Sequence, residues 1–251
     1  MRRVIIAGNW KMYKTIQESI ELVNLLKRSV ADVSEVEIVV CPPFTSLSDV
    51  REVILESNIK LGAQDCYWEK EGAFTGEVSC AMLRSAGCEY VIVGHSERRQ
   101  YFGETNETVN KKEKAALKEG LKPIVCVGER IEERKAGKTF DVIKDHVTNS
   151  LAGLTRDDML KTVIAYEPVW AIGTGLTATK EQAEEAHKYI RGLLQKMYDA
   201  ELAGSVRIQY GGSVKPDNIK ELISQEDVDG ALVVGASLKS DSFSQIIKNC
   251  L

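Results

Sequence analysis

Tyr90-Val91-Ile92-Val93-Gly94-His95-Ser96-Glu97 is a short aliphatic run that stops at a glycine and gives way to a histidine, a hydroxyl and a carboxylate. A brief run without polar alternation suits a strand buried on both faces. Working outward, similar runs recur at residues 4–7, 37–41, 59–62, 123–127, 162–166, 206–210 and 231–234. They are too short for globular helices. They lie roughly 20–45 residues apart, the scale of a strand–helix unit.

Amphipathic stretches fill the gaps. Residues 16–30 place apolar side chains on one helical face, and residues 106–120 end in Lys118-Glu119-Gly120, a cation and then a glycine stop. Residues 181–198 form the longest helical candidate, with Thr179 and Gln182 in the capping-box pattern. A helix near residues 217–223 is expected to use Pro216 in its first turn. Eight alternations of strand and helix predict a parallel sheet covered by helices, and their number in 251 residues matches a closed (β/α)8 barrel. The runner-up is a doubly wound open sheet, but no GxGxxG follows the first strand. Without a linker or a break in composition, residues 1–251 read as one α/β domain.

Composition narrows the function classes. The formal net charge of -4 is a poor match to a nucleic-acid partner, which a basic face usually serves. No apolar run approaches the roughly 20 residues that span a bilayer. The apolar start is too short for a secretory leader. The six cysteines are scattered, with no CxxC pair and no histidine at zinc-ligand spacing. They read as reduced, mostly buried thiols of a cytoplasmic protein.

The polar residues that follow the runs carry more information. Asn9-Trp10-Lys11 follows the first, His95-Ser96-Glu97 the fourth, Gly128-Glu129 the fifth and Glu167-Pro168 the sixth. Gly211-Gly212-Ser213 follows the seventh and Gly235-Ala236-Ser237 the eighth. In a parallel barrel these ends share one rim, where barrel enzymes place their chemistry. A lysine, a histidine and a glutamate distant in sequence then converge.

Four segments carry a resemblance: residues 7–12, 90–99, 165–175 and 209–214. In order and separation they resemble the signatures of the triosephosphate isomerase family, and the resemblance covers nearly the whole chain. It implies a TIM barrel that interconverts dihydroxyacetone phosphate and D-glyceraldehyde 3-phosphate through an enediolate, in glycolysis and gluconeogenesis, with no metal and no cofactor. The family is itself a known instance of pKa tuning with a glutamate base and a neutral histidine. Glu167 then resembles the base and His95 the electrophile. Lys11 supplies positive charge, Asn9 contacts substrate and fixes the lysine, and Glu97 orients the Lys11 ammonium. Cys126 resembles a cysteine that packs near the base. The phosphate is expected on backbone amides of Gly173, Ser213, Val234 and Gly235. Pro168, Val169, Trp170, Ala171, Ile172, Gly173 and Thr174 belong to a lid that excludes water, with Tyr210 and Ser213 as partners of its closed state. Another phosphate-binding barrel enzyme, such as a Schiff-base lyase, would tolerate loss of Glu167 better.

Where the family usually has two glycines, this chain reads Leu232-Val233-Val234-Gly235. Valine disfavours positive φ and adds a branched Cβ, so weakened phosphate affinity is expected. Residues 72–78 resemble the loop that inserts into a neighbouring subunit, where Thr75 supports Asn9 and Lys11 of the other chain. The resemblance therefore implies a two-fold homodimer. Phe74 between glycines is an odd residue to leave in water.

Overall fold

The computed structural model describes residues 2–171 and 178–251. Eight parallel strands close into a barrel in chain order, each bonded to the next and the last to the first. They are β1 (Ile5–Asn9), β2 (Glu37–Cys41), β3 (Ile59–Ala63), β4 (Tyr90–Val93), β5 (Lys122–Val127), β6 (Val163–Tyr166), β7 (Arg207–Tyr210) and β8 (Gly230–Val233). Every aliphatic run singled out in the sequence is one of these strands, and the open doubly wound alternative falls.

Strand alternation sorts the side chains into two cores. Ile5, Ala7, Val39, Cys41, Ile92, Ile124, Cys126, Val163, Ala165 and Leu232 fill the barrel interior. The residues between them, such as Ile6, Ile38, Val91 and Ile164, face outward into the larger core beneath the helices. Parity continues past the strand ends. Asn9 follows Ala7 and Glu167 follows Ala165 on the inward side, so the barrel mouth receives polar groups that the strands have already aimed.

The floor is sealed by a charged layer. Glu37 accepts a 2.6 Å hydrogen bond from the Tyr90 hydroxyl and pairs with the Arg207 guanidinium. Burial and the adjoining Glu37 carboxylate push the Tyr90 phenol up. On this face of a barrel such a network reads as stability rather than chemistry.

The helices follow the sequence signals with one correction. Thr179 caps Lys180–Met197 through a full capping box with Gln182. Asn106–Lys118 gives way to Gly120 at φ 76. The helix after β7, however, covers only Ile219–Ile223, and Asn218 before it makes no side-chain cap bond. Pro216 lies in a preceding turn, because the Asn218 side chain accepts the Lys215 N–H and donates to the Ser213 carbonyl instead.

Candidate active site

The end of β1 sets the first half of the site. Asn9 is buried, and its Oδ1 accepts the Lys11 N–H at 3.0 Å. Lys11 has φ 51, a left-handed conformation that costs an L-residue roughly 1–2 kcal/mol. Gln64 offsets this by donating to the carbonyls of Lys11 at 2.8 Å and Cys41 at 2.9 Å. The Lys11 ammonium then reaches Glu97 Oε1 at 2.6 Å, as the resemblance implies. Gln64 has no role in the sequence reading above. Its position just after β3, on the same rim as the other polar residues, was the available signal.

The end of β4 supplies the histidine. His95 is the N-cap of helix Ser96–Tyr101, and its Nδ1 accepts the Glu97 N–H at 3.2 Å. A nitrogen that accepts a hydrogen bond carries no proton, so the ring proton belongs on Nε2. Nε2 lies 2.9 Å from Glu167 Oε1, yet off the axis a hydrogen bond requires, and it finds no hydrogen-bond partner among the described residues. Glu167 Oε2 accepts the Ser96 N–H at 2.9 Å. The Glu167 carboxylate is thus parked against the start of the histidine's own helix.

The two groups set each other's ionisation. Burial alone raises the Glu167 carboxyl, but His95, the Ser96 N–H and Lys11 together outweigh it and hold it below the ordinary carboxylate range. Burial lowers His95 and the Glu167 carboxylate raises it, with the balance above the ordinary histidine value. Hydrogen bonding opposes that rise, since a proton on Nδ1 would meet the Glu97 N–H head-on. We therefore assign the neutral imidazole, because Nδ1 is occupied as an acceptor of the Glu97 N–H and the helix start disfavours a cation.

Glu167 is gripped from its backbone as well. Its N–H donates to the Val127 carbonyl at 2.7 Å. Gly128, at φ 157, packs so closely that an added Cβ would lie 1.8 Å from the Glu167 carbonyl oxygen. A Cβ on Gly211 would lie 2.9 Å from Glu167 Cγ. Neither contact leaves room for a side chain. Cys126 is fully buried nearby, and burial and the Glu167 carboxylate push its thiol well up. That environment is wrong for a nucleophile, in keeping with the packing role implied above.

Across the mouth, Lys11, Gly211, Gly212, Ser213, Val234 and Gly235 line a cavity of about 510 Å³. The expected strain at Val234 is corrected here: its φ is -106, so valine stands without a left-handed penalty. Its carbonyl is fixed by the hydroxyl and the N–H of Ser237, at 2.6 and 3.0 Å. What remains of the departure is bulk, a half-buried side chain on the cavity wall.

The described part of the segment expected as a lid is held by Glu129. Val169–Ala171 forms one 3-10 turn, and the Val169 N–H donates to the Glu129 carbonyl at 3.1 Å. The fully buried Glu129 carboxylate accepts from Trp170 Nε1 at 2.9 Å and from the Tyr166 hydroxyl at 3.1 Å. Arg134 pairs with it at 3.1 Å and stacks 4.5 Å over the Trp170 ring. The sequence reading quoted Glu129 at a strand end and gave it no task. Pro168 is buried beside Glu167, while Ile172, Gly173 and Thr174 lie outside the described residues. Where description resumes, Ala178 lies beside Tyr210, whose phenol burial pushes up to about 12 despite the Ala178 backbone.

A second cavity of about 270 Å³ opens on the other side of Lys11, lined by residues including Asn9, Met12, Gln64, His95, Glu97 and Phe102. Met12 is 94% exposed and Phe102 67%. The segment 69–77 projects with every residue exposed, Thr75 among them, and Phe74 rests 4.7 Å from the Tyr67 ring.

Among the described residues no group of three or more His, Cys, Asp or Glu is placed to hold a metal ion. No helix there is long and apolar enough to cross a membrane. The family model described as Triosephosphate isomerase matches residues 4–250. The chain is 57% identical over 248 residues to the triosephosphate isomerase of Geotalea uraniireducens, covering 99% of each. It is 58% identical over 251 residues to that of Carboxydothermus hydrogenoformans, covering 100% of each. That of Fusobacterium nucleatum is 54% identical over 248 residues, covering 99% of each. With Lys11, His95 and Glu167 converging at the mouth of a closed barrel and matches of this length, the chain belongs to the triosephosphate isomerase family.

Proposed function

We propose that this chain interconverts dihydroxyacetone phosphate and D-glyceraldehyde 3-phosphate in glycolysis and gluconeogenesis. The observation that carries the reading is the pairing of a buried carboxylate with an imidazole whose Nε2 has no hydrogen-bond partner in the described chain. Glu167 leaves the Ser96 N–H and takes a proton from the carbon next to the carbonyl. Departure from the Ser96 N–H removes a hydrogen bond that holds its pKa down, so it becomes a stronger base as it swings to the substrate. The Nε2–H of His95 donates to the carbonyl oxygen as it gains negative charge. Lys11 stabilises the same charge from above, held in place by Glu97 and Asn9. His95 gives its Nε2 proton to the former carbonyl oxygen and takes one from the neighbouring hydroxyl, Glu167 returns its proton to the neighbouring carbon, and the enediolate collapses to the isomeric product.

The phosphate occupies the 510 Å³ cavity. There the amides of Ser213, Val234 and Gly235 serve as donors, joined by that of Gly173 from the lid. Closure of residues 168–174 excludes water and protects the enediolate from losing phosphate. The test is turnover of D-glyceraldehyde 3-phosphate coupled to NADH oxidation by glycerol-phosphate dehydrogenase, beside Glu167→Gln. Loss of a general base lowers kcat by roughly 10²–10⁴-fold. Undiminished turnover in the variant would sink the assignment.

The assembly we propose is a two-fold homodimer. Segment 72–78 of one protomer enters the 270 Å³ cavity of its partner, covering Met12 and Phe102 and bringing Thr75 toward Asn9 and Lys11. Sedimentation of the protein beside Thr75→Arg tests this. A dimer that the substitution leaves intact at micromolar concentration would be against it. Six free thiols support a reducing cytoplasmic setting.

A further inference from the structure

The peptide that leaves β5, between Val127 and Gly128, is held on both sides. The Val127 carbonyl accepts the Glu167 N–H at 2.7 Å, and the Gly128 N–H donates to His146 Nδ1 at 3.3 Å. A trans peptide points these two groups in opposite directions, so one rigid plane joins the His146 ring to the Glu167 backbone. β4 ends at Val93, opposite Val125, whereas β5 runs on to Val127. The Gly128 N–H therefore lies past the end of the neighbouring strand, and a side chain supplies the acceptor that the ladder no longer provides. His146 reaches it from the helix Thr139–Ser150, outside the barrel. One peptide earlier, the Cys126 carbonyl accepts from Arg99 Nη2 at 3.4 Å.

This junction has little slack. Gly128 has φ 157, and its backbone lies so close to the Glu167 carbonyl that no Cβ would fit. Rotation of the peptide would press on the Glu167 backbone or release its N–H. His146 itself is half-buried and borders a cavity of about 350 Å³, shared with Ser96, Arg99, Gly128, Arg130 and Val169. Its bond to Gly128 is thus not a by-product of close packing. Two of its neighbours on that cavity, Ser96 and Gly128, are the groups that hold Glu167 by carboxylate and by backbone.

We propose that His146 is a positioning residue for this reaction: acting through the Val127–Gly128 peptide, its imidazole sets where the Glu167 backbone, and with it the carboxylate, stands. The inference rests on Glu167 as the base of the proposed isomerisation. Nδ1 accepts only when it carries no proton, so the ring proton belongs on Nε2. Burial, then the Arg99 guanidinium, hold the imidazole neutral with its pKa down at about 4; Arg130 adds to this, and Asp145 and Glu167 oppose it. A hydrogen bond accepted from the peptide N–H polarises the peptide and strengthens the one its carbonyl receives from Glu167. His146 lines neither cavity at the barrel mouth, so its influence on the chemistry passes through Glu167.

The experiment compares His146→Leu and His146→Gln with the native enzyme, and repeats the leucine variant in a Glu167→Gln background. Leucine fills space without an acceptor, whereas glutamine offers Oε1 to the Gly128 N–H. Misplacement by about 1 Å can cost roughly 10²-fold in rate, so a smaller shift of the base should lower kcat of His146→Leu about tenfold. KM and competitive inhibition by inorganic phosphate should stay within about twofold of native, since Lys11 and the phosphate cavity are untouched. His146→Gln should restore most of kcat. In the Glu167→Gln background the leucine should cost less than about twofold, because the two residues act as a unit.

A native kcat in His146→Leu, beside a collapse in Glu167→Gln, would overturn the positioning role and leave the base standing. Retained turnover in Glu167→Gln would overturn the base, and this inference with it. Equal losses with leucine and glutamine, or an undiminished cost of leucine in the Glu167→Gln background, would reduce His146 to a structural residue. Nitrogen-15 NMR of the native protein decides the matter even where a variant fails to fold. The expected ring is protonated at Nε2, with a coupling between Nδ1 and the Gly128 amide nitrogen; a proton on Nδ1 would overturn the proposal.

Discussion

His95 Nε2 and Glu167 Oε1 are 2.9 Å apart without a hydrogen bond between them, because the carboxylate lies beside the N–H axis and takes its hydrogen bond from Ser96. A carboxylate and an imidazole held side by side in this way perturb each other's ionisation. Burial and Lys11 push His95 down, and Glu167 is the principal group that pulls it up. Removing the carboxylate charge in Glu167→Gln therefore drops the His95 pKa from above the ordinary histidine value to below it. Ring-proton NMR of His95 across pH reads this directly. An unmoved titration would mean that Glu167 does not set the histidine's charge.

Gln64 is expected to act through Lys11. Gln64→Met keeps the volume but removes both donors from the carbonyls of Lys11 and Cys41. Two lost hydrogen bonds, with two carbonyls left half-buried, cost about 1–3 kcal/mol of stability. Lys11 also loses the clamp that holds its left-handed backbone, so KM should rise and kcat fall together. A KM and kcat both within twofold of the parent would leave Gln64 a bystander.

Val234→Gly tests bulk rather than strain, since φ at this position is already negative. Shortening the side chain widens the cavity wall and should tighten competitive inhibition by inorganic phosphate while leaving kcat nearly unchanged. Greater freedom of the unfolded chain costs roughly 0.5–1 kcal/mol of stability. Equal inhibition constants would show that the valine methyls stand clear of the phosphate.

Acid sensitivity should trace in part to His187. It is fully buried, bonds through Nδ1 to the Asp227 carbonyl at 3.2 Å, and leaves Nε2 without a partner among the described residues. Burial holds its pKa down, to about 4. The unfolded chain therefore binds a proton near pH 6.5 that the folded chain refuses until about pH 4. The stability this group contributes is complete above pH 6.5 and is lost as pH falls from there toward 4. At the lower limit the loss is on the order of 3 kcal/mol. Thermal unfolding of His187→Gln between those limits should show a flatter pH dependence than the parent, and parallel curves would clear His187.

The sequence by itself determined the barrel and the identity of its chemical groups. Strands buried on both faces must be continuous apolar runs, so all eight were readable, and two-residue alternation already aimed Asn9 and Glu167 inward. Thr179 with its capping box was legible for a related reason, because it depends on a neighbour within a turn. Tertiary structure alone decided what depends on remote groups or on a backbone torsion. Gln64 meets the Lys11 carbonyl from 53 residues away, and Ser96 holds Glu167 from 71. Neither distance follows from any local pattern. The negative φ at Val234 and the positive φ at Lys11 are set by how β8 and β1 leave the barrel, against the preference of the residue types alone. Side-chain periodicity is a property of the chain, whereas contact between strand ends exists only once the barrel has closed.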